Sequence, residues 1–338
     1  MSSPAPVWDA INGFAAYWAL HTAVELGLFD ALADQQLPTG QLAAATGVAD
    51  AADLDALAAL LAALDLLDTH GGTWALTDTS RRFLVSTSPA AMTDLVRLSP
   101  GSPAAWPRLA GTLRAGGPDA ATLADTGDLM PDLVRATAAT QRAVAAGVGA
   151  ELTWPDGAVI VDLGCGSGAW LSALLDAAGP RARGIGVDVP HVIDSVASRL
   201  TATTPGIELH AGDYLTAPLP VDRADVVVLA HVLRAEPEAR AAALTARAIE
   251  LLAPGGTLLV ADYFVPGAGH TADVYRAARH DLTLALTMRA GTAGRGVTEA
   301  QLAAWCADHD AVTTAVIEPV PRQRVHLIQR TTTARQRA

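Results

Sequence analysis

Three glycines stand at alternate positions, Gly164, Gly166 and Gly168, directly after an apolar run from Ala158 to Val161. Glycine is needed where φ is positive, or where a ligand must lie against bare backbone. The run before them reads as a buried parallel strand, and the Ala- and Leu-rich stretch 169–177 as a helix. Strand, glycine turn and helix in that order can seat a nucleotide-bearing ligand at the C-terminal edge of the strand. Three carboxylates fall within reach of such a ligand. Asp162 lies two residues before the first glycine. Asp188, followed by Val189, ends a second apolar run 24 residues after Gly164. A carboxylate there can accept both ribose hydroxyls of a nucleoside. Gly212-Asp213-Tyr214 follows a third run.

A second group of residues could act on whatever the ligand meets. His231 and Arg234 follow a fourth apolar run, 224–230, and lie one helical turn apart. His280, Asp281 and Leu284 fall on a later helical stretch. A neutral histidine can take a proton. Arginine stays protonated and cannot, but its planar guanidinium can pair with a carboxylate or phenolate. A metal on His231, His280 and Asp281 would lack diagnostic spacing, and none is expected. Cys165 and Cys306 have no zinc-ligand spacing and read as small buried thiols.

The elements that must position these residues alternate strand and helix from about residue 157. That pattern implies a parallel sheet with helices on both faces. Strands are expected at 158–163, 184–188, 206–210, 224–230 and 256–262. The β-rich runs 312–317 and 324–329 are too close for a helical crossover and read as an antiparallel pair. Residues 1–95 read as helices followed by a hairpin. Trp8, Ile11, Phe14, Ala15, Trp18 and Ala19 recur at helical spacing. Thr39 is placed as the cap of a helix ended by Gly47, and a second helix is expected from Ala52 to Leu67. Gly71-Gly72 then turns the chain into Trp74-Ala-Leu-Thr77. Helix, turn, helix, wing is the order of a winged helix. Residues 96–150 read as a helical connector broken by Pro100, Gly101, Pro103, Gly116, Gly117 and Pro118. A long helix is expected at 131–152. Trp106 and Met130 are placed as possible walls of a substrate site.

Composition narrows the function. The 338 residues are 51% hydrophobic with a net charge of −12, and every basic side chain is arginine. Residues 1–95 hold two arginines, Arg81 and Arg82, against eleven acidic residues. That is the wrong sign for a phosphate-binding surface, so the winged helix is not expected to bind nucleic acid. The aromatic set Trp8, Phe14, Tyr17 and Trp18 reads either as core or as a subunit interface. No apolar run is long enough to span a membrane, and no signal peptide is evident. A cytoplasmic protein is expected.

Two cofactors suit the turn. Gly164-x-Gly166-x-x-Ala169 with Asp188 satisfies a dinucleotide fingerprint. S-adenosylmethionine is favoured by Asp162, placed for a methionyl ammonium, by Gly212-Asp213, placed for an adenine amine, and by the closing antiparallel pair. The chain resembles the S-adenosylmethionine-dependent small-molecule O-methyltransferases that carry an N-terminal winged-helix dimerisation domain. The resemblance rests on Leu26-Gly-Leu-Phe-Asp30, Leu42-Ala43, Thr46-Gly47, Trp74-Ala-Leu-Thr77, Val161 to Gly168, Val187-Asp-Val-Pro-His-Val-Ile193, Gly212-Asp-Tyr214 and Leu252-Ala-Pro-Gly-Gly256, all in family order. It implies an α/β, Rossmann-like seven-stranded domain over 151–330, antiparallel at its last strand. Before it would come a mainly helical dimerisation domain over 1–95 and the connector over 96–150; a tail, 331–338, would follow. It implies a homodimer, and contacts to the cofactor from Gly164, Asp188, Asp213 and Tyr214.

One departure stands out. Where the family commonly carries Leu-His-Asp-Trp, with the histidine as base, this chain has Leu233-Arg-Ala-Glu236. Further on, its Arg-Thr-x-x-Glu stretch is Val297-Thr-Glu-Ala-Gln301, so Gln301 replaces an acid. General-base catalysis contributes roughly 10²–10⁴-fold, whereas orientation is worth effective molarities of about 10⁵–10⁸ M. Methyl transfer to oxygen or carbon of a small aromatic or polyketide-like acceptor therefore remains the expectation, with S-adenosylhomocysteine as by-product. His231 or His280 would replace the base, and Arg234 would hold an acidic acceptor. The alternatives are a repurposed, non-methylating enzyme and a non-catalytic regulatory protein.

Overall fold

A computed structural model describes residues 3–98 and 105–331. They fall into two compact units, one on each side of the intervening segment. Pro100, Gly101, Pro103 and the tail beyond Thr331 lie outside the described residues.

The N-terminal unit contains α1 (Ala5–Glu25), α2 (Leu28–Ala31), β1 (Leu37–Pro38), α3 (Thr39–Thr46), α4 (Ala51–Ala63), β2 (Leu67–His70), β3 (Thr73–Leu76), α5 (Asp78–Phe83) and α6 (Thr93–Leu98). Its three strands pair antiparallel in the order β1-β3-β2. Phe29, Leu42, Leu54, Leu61, Trp74 and Leu76 fill one core. Pro38, not Thr39, holds the cap position of α3. The Thr39 hydroxyl instead donates to Asp55 and accepts from the Trp74 indole N–H, which ties α3 to α4 and β3. The second helix stops at Ala63, because Asp65 adopts φ +58° and turns the chain into β2. Along α1, the residues Val7, Trp8, Ile11, Phe14 and Trp18 form a stripe that is 39–72% exposed. Most of the aromatic set is therefore not core of this unit; only Tyr17 turns inward, its hydroxyl donating to the Val96 carbonyl.

The second unit opens with α7 (Ala105–Ala115) and α8 (Ala120–Glu151). The long helix begins eleven residues before Pro131 and runs through it. Asp119 is the reason: its carboxylate accepts the Thr122 N–H at 2.8 Å and caps the helix. A single proline removes only one backbone donor. Then come β4 (Val159–Leu163), α9 (Ala169–Ala178), β5 (Arg183–Asp188), α10 (Pro190–Thr203), β6 (Ile207–Ala211), β7 (Ala224–Ala230), a 3-10 turn (Leu233–Ala235), α11 (Glu238–Glu250) and β8 (Leu252–Ala261). The unit closes with α12 (Ala272–Ala277), α13 (Arg279–Gly291), α14 (Glu299–Ala307), β9 (Ala311–Val320) and β10 (Gln323–Arg330).

The seven strands lie in the order β6-β5-β4-β7-β8-β10-β9. The first five are parallel, and β10 runs antiparallel to both β8 and β9. Side chains alternate between two cores, as a strand's period of two requires. Val161, Leu163, Val227, Leu229, Leu258 and Val260 pack with Leu244 of α11 and Leu302 of α14. Ile160, Val226, Val228 and Leu259 pack on the other face with Val148 of α8 and Leu171 and Leu174 of α9. Fully covered on both faces, these strands read as near-continuous apolar runs. Their C-terminal ends share one edge of the sheet, where ligands bind in open α/β folds.

Candidate active site

The first part of the site is the turn from β4 into α9. Gly164 has φ +86° and Gly168 φ +69°. A Cβ on Gly164 would collide with Val232 Cγ2, just beyond β7, and one on Gly168 with Leu200 of α10. The turn is thus held from both sides in a conformation only glycine adopts easily. Gly164→Ala is expected to lose about 2–4 kcal/mol, from left-handed strain and overpacking together. Thermal melts against Gly111→Ala, a helical position with open space around it, check this; equal melting temperatures would contradict it.

Asp188 ties the turn to the end of β5. Its Oδ2 accepts the Gly166 N–H and its Oδ1 the Val189 N–H, both at 2.8 Å. Burial raises its pKa, and those two donors lower it. Each oxygen keeps acceptor capacity for a further donor. The Gly212 N–H donates to the Asp188 carbonyl at 2.8 Å, setting the end of β6 beside it.

Asp162 is 1% exposed, and neither carboxylate oxygen has a hydrogen-bond partner. Burial, with the charge of Asp188 added, pushes its pKa up to about 8. A buried carboxylate without compensation is costly. An ammonium group from a ligand supplies what the chain does not, so these residues fit an aminoacyl nucleoside.

Asp213 and Tyr214 are tethered from α11. Asp213 accepts the Leu215 N–H at 2.9 Å and pairs with Arg240, whose hydrogen bond lowers its pKa. The Tyr214 hydroxyl donates to Glu236, and Arg240 Nε reaches the other Glu236 oxygen at 2.8 Å.

Beyond β7 a second cluster forms. His231 takes φ +61°, a conformation that a non-glycine residue rarely adopts and that often marks a functional site. Its N–H donates to the Ala261 carbonyl at 2.7 Å. Neither ring nitrogen has a hydrogen-bond partner; Nδ1 lies 3.8 Å from Asp262 Oδ1. Burial lowers its pKa, the Asp262 carboxylate only partly offsets this, and the Arg234 charge adds to the lowering, all of which favours the neutral imidazole. The Arg234 N–H donates to Asp262 Oδ2 at 3.1 Å, while its Nε stands 3.6 Å from Oδ1. The Arg234 guanidinium lies over the Tyr263 ring, 4.8 Å from its centroid. Tyr263 also contacts the His231 ring at 5.1 Å and the His280 ring, edge-on, at 5.4 Å.

His231, Arg234 and His280 therefore converge, and Asp262-Tyr263 is what joins them. Sequence reasoning passed over both. The available signal was a carboxylate ending the apolar run of β8, as Asp162 and Asp188 end theirs. Asp281 is half-buried, with burial raising its pKa against the charges of His280 and Arg322. Trp106 lies on α7, Met130 on α8 and Leu284 on α13, which packs against both other helices. Gln301 is structural: its side chain accepts the Thr298 N–H and completes a capping box on α14. Among the described residues, no group of three or more His, Cys, Asp or Glu is placed to hold a metal. None of their helices is long and apolar enough to cross a membrane.

Residues 143–306 match the O-methyltransferase domain family, and residues 8–86 match the O-methyltransferase dimerisation domain. The chain is 32% identical over 340 residues to the tetracenomycin polyketide synthesis 8-O-methyl transferase TcmO of Streptomyces glaucescens, covering 94% of each chain. The chain belongs to the O-methyltransferase family. Another member, the 3-amino-4-hydroxybenzoate 4-O-methyltransferase of Streptomyces cremeus, is 33% identical over 75% of this chain and 72% of its own. The fold is shared with human N-acetylserotonin methyltransferase solved with S-adenosylmethionine, at a TM-score of 0.78 and 22% identity over 98% and 99% of the two chains. As an O-methyltransferase, the protein is an enzyme that uses S-adenosylmethionine, and the dinucleotide alternative falls away.

Proposed function

We propose that this O-methyltransferase works as a homodimer and methylates a hydroxyl of a small aromatic or polyketide-type acceptor. The observation that carries the reading is Asp162, a wholly buried carboxylate with no partner beside the glycine turn. S-adenosylmethionine bound there supplies an electrophilic methyl group on its sulfonium sulfur. Asp162 holds the ammonium of the ligand, Asp188 the ribose hydroxyls, and the backbone of Gly164, Gly166 and Gly168 lies against it. Val189, Gly212, Asp213 and Tyr214 bound the adenine side, and His231 faces the ligand from β7. On the acceptor side the chain offers histidines that can take a proton, His231 and, behind Tyr263, His280, and a fixed cation, Arg234. His280, Asp281, Leu284, Trp106 and Met130 line the acceptor's approach.

The acceptor class is supported by the relatives: TcmO acts in polyketide synthesis, and the Streptomyces cremeus enzyme acts on a hydroxybenzoate. A labelled-methyl transfer assay over hydroxylated aromatic and polyketide-type acceptors tests the reading. Label in product, with equal S-adenosylhomocysteine formed, is expected; cofactor binding with no transfer to any acceptor would contradict it.

We divide the chain into a pairing domain (1–95), a connector (96–150) and a catalytic domain (151–330). The helix-helix-hairpin order of the first supports a winged helix that joins two copies and takes no nucleic acid. The exposed stripe of α1 is the surface we assign to pairing, since a second copy would cover Trp8, Phe14 and Trp18. Light scattering should give twice the chain mass for the wild type and a single-chain mass for Trp8→Glu with Phe14→Glu. A monomeric wild type would overturn the assignment. Two buried free thiols, Cys165 and Cys306, suit a reducing cytoplasm.

A further inference from the structure

Arg234 presents a problem that the chain does not solve for itself. Its side chain is 17% exposed, and its Nε and Nη1 are buried without a hydrogen-bond partner. Among the described residues its one ion-pair partner is Asp262, at 3.6 Å, which is too long for a hydrogen bond. Both Asp262 oxygens already accept backbone donors, Oδ2 from Arg234 and Oδ1 from Tyr263 at 2.9 Å. The guanidinium is charge-compensated but its donors are empty. A buried cation in that condition is costly unless something accepts from it.

The group is also held in place. Its central carbon rests over the ring of Tyr263, whose hydroxyl accepts from Gln323. The carbonyl of Arg234 accepts the Gly296 N–H at 3.3 Å, and Gly294 packs against the same peptide with no room for a Cβ. Val232, two residues earlier, fills the space beside Gly164, so the guanidinium is built on the segment that walls the cofactor turn.

We infer that Arg234 is the receptor for a planar oxyanion on the acceptor, so that this enzyme selects acceptors that arrive negatively charged. The inference rests on the methyltransferase reading and deepens it. A guanidinium edge offers parallel N–H donors that match two coplanar oxygens. Two kinds of acceptor carry them: a hydroxy acid with its carboxylate beside the methylated hydroxyl, or an ionised enol or phenol beside a carbonyl. In the first, neutral His231 stands by for the hydroxyl proton; in the second, no protein base is required. Either way, arginine at the place of the family's histidine becomes a specificity device.

The test uses matched pairs of probes with the wild type, Arg234→Gln and Arg234→Lys, each saturated with S-adenosylhomocysteine. One arm compares 1-hydroxy-2-naphthoate with its carboxamide; the other compares 2-hydroxy-1,4-naphthoquinone, an acidic enol, with neutral 1-naphthol. Calorimetric affinity is read on these complexes, and methyl-transfer kcat/KM is read separately with S-adenosylmethionine in place of S-adenosylhomocysteine. The wild type should prefer the anion in at least one arm by roughly 10²-fold or more, and the arm that responds identifies the kind of acceptor. Arg234→Gln should reduce that preference to within about threefold, with Arg234→Lys between, because a point charge lacks the bidentate edge. S-adenosylhomocysteine affinity should stay the same in all three, which shows that the variants are folded. No preference in either arm of the wild type, or a preference that survives in Arg234→Gln, overturns the inference. A wild type that does not bind S-adenosylhomocysteine sinks the methyltransferase reading instead.

Discussion

Asp162→Asn is expected to weaken S-adenosylmethionine binding by about 10²–10³-fold at pH 7.5, the cost of leaving one member of a buried charge pair without its partner. The pH dependence should change with it. In the wild type the carboxyl is pushed up to about 8 by burial and by Asp188. Below that pH the free enzyme carries a proton there, which the ligand's ammonium must displace. Affinity should therefore rise about tenfold per pH unit between pH 6 and 7.5. One proton should be released per ligand, seen as a dependence of binding heat on the buffer's ionisation enthalpy. The asparagine variant should show neither effect.

Stability of the free enzyme follows the opposite trend. The folded state holds the Asp162 proton more tightly than the unfolded chain, whose carboxyl titrates near 3.8. The contribution is full below the unfolded pKa and is lost as pH rises through about 8. Asp188, also raised, acts in the same direction. Asp162→Asn should thus melt higher than the wild type at pH 8 without cofactor. A variant with unchanged affinity and an unchanged pH profile would show that the ammonium sits elsewhere.

The second large effect is expected at Gly294. A Cβ there would collide with the Arg234 carbonyl oxygen, and would stand 2.5 Å from the Ala235 carbonyl carbon and 2.7 Å from its Cα. All three are backbone atoms, so no side-chain rotation relieves the contact, and the 3-10 turn must move. A displacement of about 1 Å in a positioning element can cost around 10²-fold in rate. Gly294→Ala should lower kcat by that order and keep S-adenosylhomocysteine affinity within about threefold, since none of the clashing atoms belongs to the glycine turn itself. Steady-state kinetics beside calorimetry separates the two; an unchanged kcat would mean that the placement of Arg234 does not matter.

The central strands were legible because β4, β5, β7 and β8 are apolar runs buried over most of their length; β6, at the sheet edge and partly exposed, carries Glu208 and His210. The placement of Gly164, Asp162 and Asp188, to which we assign the cofactor, was legible for the same reason: they occupy strand ends, where chain order alone sets position. The start of α8 was not, since proline suits the first turn of a helix far better than its interior, and only the Asp119 cap upstream reveals the true start. The acceptor cluster was half legible. Arg234 declared itself by residue type, but its orientation depends on Asp262 and Tyr263, brought alongside by the pairing of β7 with β8. Gln301 looked like a lost acid, whereas in the fold it completes a helix cap. The stripe on α1 reads equally as core or interface in sequence, and its exposure removes the core reading.

A crystal structure with S-adenosylhomocysteine bound tests the central claim most directly. The account predicts the aminoacyl nitrogen within hydrogen-bond distance of an Asp162 oxygen, both ribose hydroxyls on Asp188, and the sulfur turned toward the side of the crevice that holds His231 and Arg234. A nucleoside seated away from Asp162, or an Asp162 carboxylate still without a partner in the complex, would contradict it.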